Sequence, residues 1–202
     1  LRAVDVPFDP WPTEGMGHAT VLARRAVAEG RRLVVAAGGD GTVAEVAQAL
    51  AGSRTVLGIM PLGSVMNVAR TLSIPRDLDG AARIIRDGRV LAMDLGRVGT
   101  TYFLEAAGVG LDAGLHSYLG RLDRGGPLLG TLRATVRFLR GIGVPRLAIT
   151  ADDRRLHLRA AMVTIANTPF SGAAYVLAPE ARVDDGLLNV VALPRTGVFR
   201  TL

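Results

Sequence analysis

Residues 33–42 read Leu-Val-Val-Ala-Ala-Gly-Gly-Asp-Gly-Thr, an apolar run that leads directly into a glycine-rich turn. The run from Leu33 to Ala37 has no polar alternation, which is the pattern of a strand covered on both faces in a parallel sheet. Apolar residues then recur every three or four positions from Val43 to Leu50, and Thr42 with Glu45 fits a capping box at the start of a helix. The stretch therefore predicts a strand, a glycine turn and a helix, the repeating unit of an α/β sheet.

The same unit extends in both directions along the chain. The apolar spacing predicts an amphipathic helix over residues 17–29, ahead of the first strand. A second strand over residues 56–60 leads into another turn and a helix over 65–72, and a further helix is predicted over 79–86. This alternation is typical of a doubly wound, mostly parallel sheet, which binds ligands at the carboxyl ends of its strands.

After Asp94 the pattern changes to short strands separated by turns. These strands are predicted at residues 94–98, 102–107, 146–150, 160–166 and 187–193. One amphipathic helix, over residues 128–140, interrupts them. The predicted fold class is therefore α/β, with an N-terminal doubly wound, mostly parallel sheet domain over residues 1–94 and an antiparallel β-sandwich-like domain over residues 95–202.

The composition excludes several classes of enzyme. All 24 basic residues among the 202 are Arg, so the chain lacks the lysine of a Walker P-loop, of a Schiff base and of protein kinases. There is no cysteine, which excludes thiol nucleophiles, disulfides and Cys-ligated metals. No apolar run approaches the roughly 20 residues of a membrane span, and the N-terminal residues do not resemble a signal peptide. We therefore expect a cytoplasmic protein.

The glycine turn at residues 38–42 suits a phosphate group. Gly38, Gly39 and Gly41 let backbone amides approach a ligand closely, and the start of the helix adds partial positive charge. Asp40 would repel bound phosphates unless a divalent cation or a substrate hydroxyl lies between them. It is therefore a candidate metal ligand or proton acceptor in phosphoryl transfer. The alternative is an ordinary glycine turn in which Asp40 is a local cap.

A second turn, Pro61-Leu62-Gly63-Ser64, also follows a strand and opens a helix. Ser64 is predicted either to cap that helix or to donate to a phosphate, and Asn67 offers both donor and acceptor groups. Taken alone, the turn favours simple capping. Its significance comes from its expected position at the sheet edge where Asp40 lies.

Together the two turns resemble the diacylglycerol kinase catalytic domain family, which includes bacterial soluble lipid kinases and sphingosine kinases. Residues 38–42 match the glycine motif of that family without departure. Residues 61–70 are similar to its second motif, a Pro-x-Gly-Thr followed by Asn and Ala-Arg, with Ser64 in place of Thr. Further similar pieces lie along the chain, at residues 13–24, 110–113 and 178–188.

The resemblance implies an ATP- and Mg²⁺-dependent lipid kinase whose nucleotide occupies the cleft between an α/β domain and a β-sandwich domain. It implies that Asp112 faces the lipid head group, and that Asp184 and Asp185 join a magnesium and water network. Adjacent acids before a glycine are also common in solvated turns, so that alternative stays open. The residues implied to contact the nucleotide phosphates are Gly38, Gly39, Asp40, Gly41, Thr42, Gly63, Ser64 and Asn67.

The chain departs from the family at both ends. The family begins with a strand and an Asn-Pro loop that helps to hold the nucleotide. Its bacterial members end with a returning strand that carries an acidic residue thought to act as the general base. Neither feature is found here, so we expect the first domain to be truncated at its N-terminus and the second at its C-terminus.

Arginine is concentrated between Arg121 and Arg159, a stretch that contains nine Arg and three Asp. An anionic membrane would attract such a patch at about 1 kcal/mol per basic residue. The alternative is that these residues simply decorate an exposed surface. Aromatic residues are sparse there, which argues against nucleic acid as a partner. A membrane lipid is the expected substrate, with peripheral contact to an anionic membrane and homo-oligomerisation left open.

The sequence thus favours transfer of the ATP γ-phosphoryl group to a lipid hydroxyl, most simply that of diacylglycerol, in phospholipid metabolism. Two alternatives remain. One is a kinase for a soluble acceptor, such as NAD kinase or a phosphofructokinase-like enzyme, since these share the Gly-Gly-Asp-Gly signature. The other is a non-catalytic nucleotide- or lipid-binding module.

Overall fold

The structure is a computed structural model that describes residues 1, 4–110, 144–171 and 175–194. The described residues form two compact units, the first within residues 1–106 and 166–189 and the second within residues 107–165 and 190–202. The helices of the first unit are α1 (His18–Ala28), α2 (Asp40–Leu50), α3 (Asn67–Thr71) and α4 (Leu78–Asp87). Its strands are β1 (Leu33–Gly38), β2 (Val56–Pro61), β3 (Gly96–Val98), β4 (Thr101–Phe103), β8 (Phe170–Ser171) and β9 (Tyr175–Val176).

Strands β1 and β2 form the parallel pair that the sequence predicts. Their register runs from Leu33 opposite Val56 to Gly38 opposite Pro61. The two strands therefore end side by side, and the two glycine turns leave the sheet at the same edge. Helix α2 packs on both strands, and α4 packs on β2. This arrangement confirms the predicted α/β character of the N-terminal part.

Helix α2 begins earlier than predicted. Its first residue is Asp40 and its N-cap is Gly39, which provides no side-chain cap. The predicted capping box of Thr42 and Glu45 is wrong. The Glu45 carboxylate instead accepts the backbone N–H groups of Gly17 at 2.8 Å and Ala19 at 3.2 Å, so it caps α1 from the neighbouring helix. The periodic apolar residues of α2 did locate the helix, but the partner of Glu45 lies 28 positions away in sequence.

The core of the first unit lies between α2, the parallel strands and α3. Val43 on α2 is completely buried, and Met66 and Val68 are only 1% exposed. Burial of apolar side chains is the main stabilising contribution in such a core, at about 25 cal/mol per Å² removed from water. Because residues 66–69 are part of this core, the second turn is attached directly to it.

Residues 166–189 return to the first unit through a buried polar network. The Asn167 side chain is fully buried, and its Nδ2 donates to the carbonyls of Asp94 at 2.8 Å and Leu104 at 2.9 Å. Its backbone N–H donates to the carbonyl of Glu105. The Asp94 carboxylate in turn accepts the N–H of Gly186 at 2.7 Å. The Asn167 Oδ1 has no hydrogen-bond partner among the described residues, but the donors of this network are paired with specific carbonyl and carboxylate oxygens and so favour one arrangement of the chain.

The second unit is a sheet in which β10 (Asn189–Pro194), β7 (Arg154–Ala166) and β5 (Ala106–Gly110) lie side by side. Strand β6 (Arg146–Ala151) pairs antiparallel with the first part of β7. The predicted antiparallel second domain is thereby confirmed.

The predicted strand over 102–107 is divided between β4 and β5, and β7 begins six residues earlier than predicted. The helix predicted over 128–140 lies outside the described residues. The domain boundary near Asp94 stays a prediction.

Candidate nucleotide-phosphate site

The first glycine turn (residues 38–42) and the second glycine turn (residues 61–65) touch each other through their backbones. The N–H of Leu62 donates to the carbonyl of Gly38 at 3.0 Å. A Cβ atom at Gly63 would lie 2.6 Å from the Cα atom of Gly39 and 2.8 Å from the sulfur of Met66. Position 63 can therefore hold only glycine at this separation, since contacts shorter than 3.0 Å are not found for real Cβ atoms.

The first glycine turn presents the open N-terminus of α2. An α-helix leaves its first N–H groups without helical partners, and here the N-cap Gly39 supplies no side-chain acceptor. The Thr42 side chain packs on Gly38, where a Cβ atom would lie 2.5 Å from the Thr42 Oγ1. Gly41 is exposed, and a Cβ atom there would contact nothing within 4 Å. Amides without helical partners, an N-cap without a side-chain acceptor and an exposed glycine together suit an anion.

Asp40 joins the two glycine turns. Its Oδ2 accepts the backbone N–H of Met66 at 2.8 Å. Met66 is the N-cap of α3 and has a left-handed backbone with φ of 57°, which is uncommon for a residue other than glycine. The hydrogen bond that the Met66 N–H donates to Asp40 stabilises this conformation. The Oδ1 of Asp40 is buried and has no hydrogen-bond partner among the described residues.

Arg76 holds the second glycine turn from its other side. Its guanidinium donates to the carbonyl oxygens of Gly63 at 2.8 Å, Ser64 at 3.0 Å and Val65 at 3.5 Å. Ser64 itself is exposed. Arg76 is positioned by the next residue, Asp77, which is the N-cap of α4 and accepts the N–H of Gly80 at 2.6 Å. Sequence analysis did not single out Arg76, because its partners are backbone carbonyls that carry no sequence signal.

Asn67 lies at the start of α3, next to the contact between Asp40 and Met66. It is only 3% exposed, and its Nδ2 donates to the Glu105 carboxylate at 2.8 Å. Its Oδ1 is buried without a partner in the part of the chain that the structure describes. Glu105 was also missed by sequence analysis. It follows a short strand 38 residues later, and no motif links it to Asn67.

Asp184 and Asp185 lie in the return segment of the first unit. The Asp184 Oδ1 accepts from the Arg182 guanidinium at 3.4 Å, and Asp184 lines a cleft of about 470 Å³ with Arg182 and Arg70. The Asp185 carboxylate accepts the N–H of Leu187 at 3.0 Å. Two guanidinium groups beside a paired carboxylate suit a cation poorly. Residues 1, 4–110, 144–171 and 175–194 hold no cluster of three or more His, Cys, Asp or Glu side chains able to bind a metal.

The structure therefore brings together the predicted residues of both turns. These are Gly38, Gly39, Asp40, Gly41, Thr42, Gly63, Ser64 and Asn67. Asp112 lies outside the described residues. Within the described ranges, no helix has the length and apolarity to span a bilayer.

Solved structures with the same fold define the class of protein. The chain is similar to a crystal structure titled as a diacylglycerol kinase from Bacillus anthracis str. Sterne, with a TM-score of 0.72 and 26% identity over 92% of this chain and 63% of that one. A second structure from the same organism gives a TM-score of 0.73 with 27% identity, covering 92% of this chain and 64% of the other. The fold is that of the bacterial diacylglycerol kinases.

The family follows from the sequence comparisons. Residues 1–98 match the diacylglycerol kinase catalytic domain, and residues 107–202 match the YegS C-terminal NAD kinase beta sandwich-like domain. Residues 1–98 belong to the diacylglycerol kinase catalytic domain family, as the resemblance of the two turns predicted.

Curated relatives from two staphylococci are named diacylglycerol kinase. A protein named diacylglycerol kinase from Staphylococcus epidermidis is 30% identical over 192 residues, which are 93% of this chain and 60% of the relative. One from Staphylococcus aureus is also 30% identical, over 93% of this chain and 61% of the relative. The chain thus spans about three fifths of the length of these relatives.

Proposed function

We propose that the protein is an ATP-dependent lipid kinase that transfers the γ-phosphoryl group of ATP to the hydroxyl of a membrane lipid, most simply diacylglycerol. The observation that carries this proposal is the direct contact of the two glycine turns, joined by the hydrogen bond from Met66 to Asp40. The names of the relatives support the same class of reaction.

The phosphates would be bound mainly by backbone amides. The chain contains no lysine, so the amides at the start of α2 and in the second glycine turn provide the partial positive charge that a P-loop lysine supplies elsewhere. Phosphoryl transfer passes through a loose transition state, and its catalysis depends mostly on positioning and charge stabilisation. A rigid pair of turns with amides in fixed positions meets that requirement.

Asp40 is the proposed acidic residue of the site. Mg²⁺ bound with the nucleotide would neutralise part of the phosphate charge. The Oδ1 of Asp40 fits as one of its ligands, because it is a buried carboxylate oxygen with no protein partner among the described residues. The other oxygen is already engaged with Met66, so the carboxylate is held in one orientation. Ligation by Asp184 and Asp185 remains a prediction that their local hydrogen bonds do not favour.

The reaction forms a bond between the lipid hydroxyl oxygen and the γ-phosphorus. The bond from that phosphorus to its bridging oxygen breaks, and ADP leaves. The hydroxyl proton passes to a general base. Asp40 is a candidate for that role only if its Oδ1 does not bind Mg²⁺, so metal ligation and proton acceptance are alternative roles for this carboxylate. Asp112 is proposed to face the acceptor head group.

Labelled ATP with a panel of acceptors tests the proposal. The panel contains diacylglycerol, a sphingoid base, a polyprenol, NAD and a sugar phosphate. We expect labelled product only with lipid acceptors. Asp40→Asn should keep the fold, since an amide oxygen can still accept the Met66 N–H, yet lose at least about 100-fold in turnover because the charge is gone. Asp79→Asn, at an exposed position of α4, is the matched control.

Three results would contradict the proposal. Normal turnover by Asp40→Asn would remove the role assigned to that carboxylate. Phosphorylation of NAD or a sugar phosphate in place of lipid would identify a kinase for a soluble acceptor. Nucleotide binding with no turnover on any acceptor would identify a non-catalytic binding module.

A further inference from the structure

The hairpin of β6 and β7 in the second unit places all but one of its basic residues on one face, and the exception is Arg154 next to the turn. The register pairs Arg146 with Arg159, Ala148 with His157 and Thr150 with Arg155. Directly paired residues of an antiparallel ladder lie on the same face, and alternate residues share it. One face therefore carries three arginines and a histidine, with Ala148 and Thr150 between them. We call this set of six residues the basic face.

Every residue of the basic face is exposed. The opposite face carries the partly buried Leu147, Ile149 and Leu158 and the exposed Leu156, with the exposed Ala151 and Arg154 at its turn end. The basic face contains no acidic residue, and its arginines form no ion pair among the described residues. The two neighbouring acids, Asp152 and Asp153, are confined to the turn between the strands.

The pairing of Arg146 with Arg159 is unfavourable in the isolated protein. Side chains directly opposite each other have Cβ atoms about 4.5–5.5 Å apart, and like charges at that distance destabilise a sheet. Arg155 lies on the same face at four residues from Arg159, which is about 14 Å along the strand. A polyanion laid across the face would convert this repulsion into attraction.

We propose that the basic face of the β6–β7 hairpin is a docking surface for anionic phospholipid head groups. The choice of a lipid surface rests in part on the proposed lipid kinase function. It is also supported by composition, because neither strand contains a Phe, Tyr or Trp, the large aromatic side chains on which the bases of a single-stranded nucleic acid stack. A flat row of flexible guanidinium groups matches a plane of phosphates, and each basic residue near an anionic membrane contributes about 1 kcal/mol.

Vesicle binding tests the docking surface. Wild-type protein is mixed with phosphatidylcholine vesicles that do or do not contain about one third phosphatidylglycerol, and bound protein is measured by flotation. We expect binding to the anionic vesicles that weakens as salt rises, because exposed charges are screened. The triple variant Arg146→Gln, Arg155→Gln, Arg159→Gln should bind about 100-fold more weakly, three residues at about 1 kcal/mol each.

A matched variant controls for net charge. Arg24, Arg83 and Arg97 are exposed residues of the first unit, and replacing all three by Gln removes the same charge. This control should change vesicle binding by less than about threefold, because the loss of net charge alone acts weakly at physiological salt. Equal losses in the two triple variants would overturn the proposal. So would tighter binding of wild-type protein to a single-stranded oligonucleotide than to the anionic vesicles.

Thermal unfolding separates docking from a structural role. Arg159→Gln removes one of two facing charges, so it should raise the melting temperature in buffer while it weakens vesicle binding. A structural role for Arg159 would give a lower melting temperature, and that result would contradict the proposal.

Kinase assays in detergent micelles and in vesicles separate this proposal from the proposed function. We expect the hairpin variant to keep its micellar activity and to lose activity on vesicles. Absence of lipid kinase activity in wild-type protein would overturn the proposed function, whereas unchanged vesicle binding by the hairpin variant would overturn the docking surface.

Discussion

The two glycine turns follow equivalent strands, yet they are held in different ways. The first is held by backbone groups, through the helix it starts and the Leu62 N–H that donates to the Gly38 carbonyl, and its N-cap Gly39 has no capping side chain. The second turn is held by side chains from elsewhere, the Asp40 carboxylate on the N–H of Met66 and the Arg76 guanidinium on three carbonyls. The first turn thus relies on backbone groups, whereas the second depends on distant side chains.

The contacts of Arg76 determine on which side of the second turn an anion can bind. Carbonyl oxygens drawn toward Arg76 leave the amides of the same peptide units directed away from it, since the N–H and C=O of a planar peptide point in opposite directions. An anion that uses these amides therefore binds on the side of the turn away from Arg76. The guanidinium adds positive charge behind the turn without occupying the ligand's position.

Gly63→Ala should have the largest effect on this arrangement. The added Cβ would lie 2.6 Å from the Cα of Gly39, so the two turns must separate. We expect a loss of about 2–3 kcal/mol in the free energy of unfolding, as for overpacked sites, and at least about 100-fold in activity from misplaced amides. Chemical denaturation and kinase assays measure the two effects.

Gly15→Ala is the control for that substitution. Gly15 lies outside both turns, and a Cβ there would contact nothing within 4 Å. Near-normal stability and activity are expected. If Gly63→Ala behaved like Gly15→Ala, the close contact of the turns would not be needed for function.

Substitution of Arg76 tests whether the second turn requires the hydrogen bonds that this side chain donates to its carbonyls. Arg76→Gln removes the charge and most of the three hydrogen bonds, so we expect nucleotide affinity to fall about tenfold. Arg76→Lys keeps the charge but cannot reach three carbonyls in a fixed planar geometry, and should give an intermediate loss. Calorimetry should show that ADP binds more weakly while adenosine binds as before, because only ADP has phosphates that contact the turn.

The exposed Arg83 on α4 provides the control, since Arg83→Gln removes an equal charge from the neighbouring helix. Equal loss of ADP and adenosine binding in Arg76→Gln would show a general structural defect. Unchanged ADP binding would show that the second turn keeps its geometry without Arg76.

The contrast between the turns also explains what the sequence could predict. The apolar run before Gly38 and the periodic residues of α2 are local signals, and they correctly located a strand, a turn and a helix. Residues 61–70 were recognised mainly by resemblance, because their supports are Asp40, Arg76 and, through Asn67, Glu105. Such partners are distant in sequence and bind through backbone groups or single side-chain contacts, for which no periodic pattern exists.

Glu45 illustrates how a local signal can be misleading. Its spacing from Thr42 fits a capping box, and the residue does cap a helix, but the helix is α1. The local interpretation failed because α2 begins at Asp40, two residues before the predicted cap. At its position on α2, Glu45 is within reach of the first amides of the adjacent α1, whose N-cap Gly17 has no capping side chain.

Glu45→Ala should therefore have the smallest effect at the site, because it removes the cap of α1 and no contact of either turn. Loss of the acceptor for Gly17 and Ala19 should lower the free energy of unfolding by about 1 kcal/mol, as for a helix cap. Glu45→Gln keeps an acceptor oxygen and should lose less than half of that. Both turns keep their own contacts in these variants, so ADP affinity should change by less than about twofold. A large loss of affinity in Glu45→Ala would show that the first turn depends, like the second, on a distant side chain.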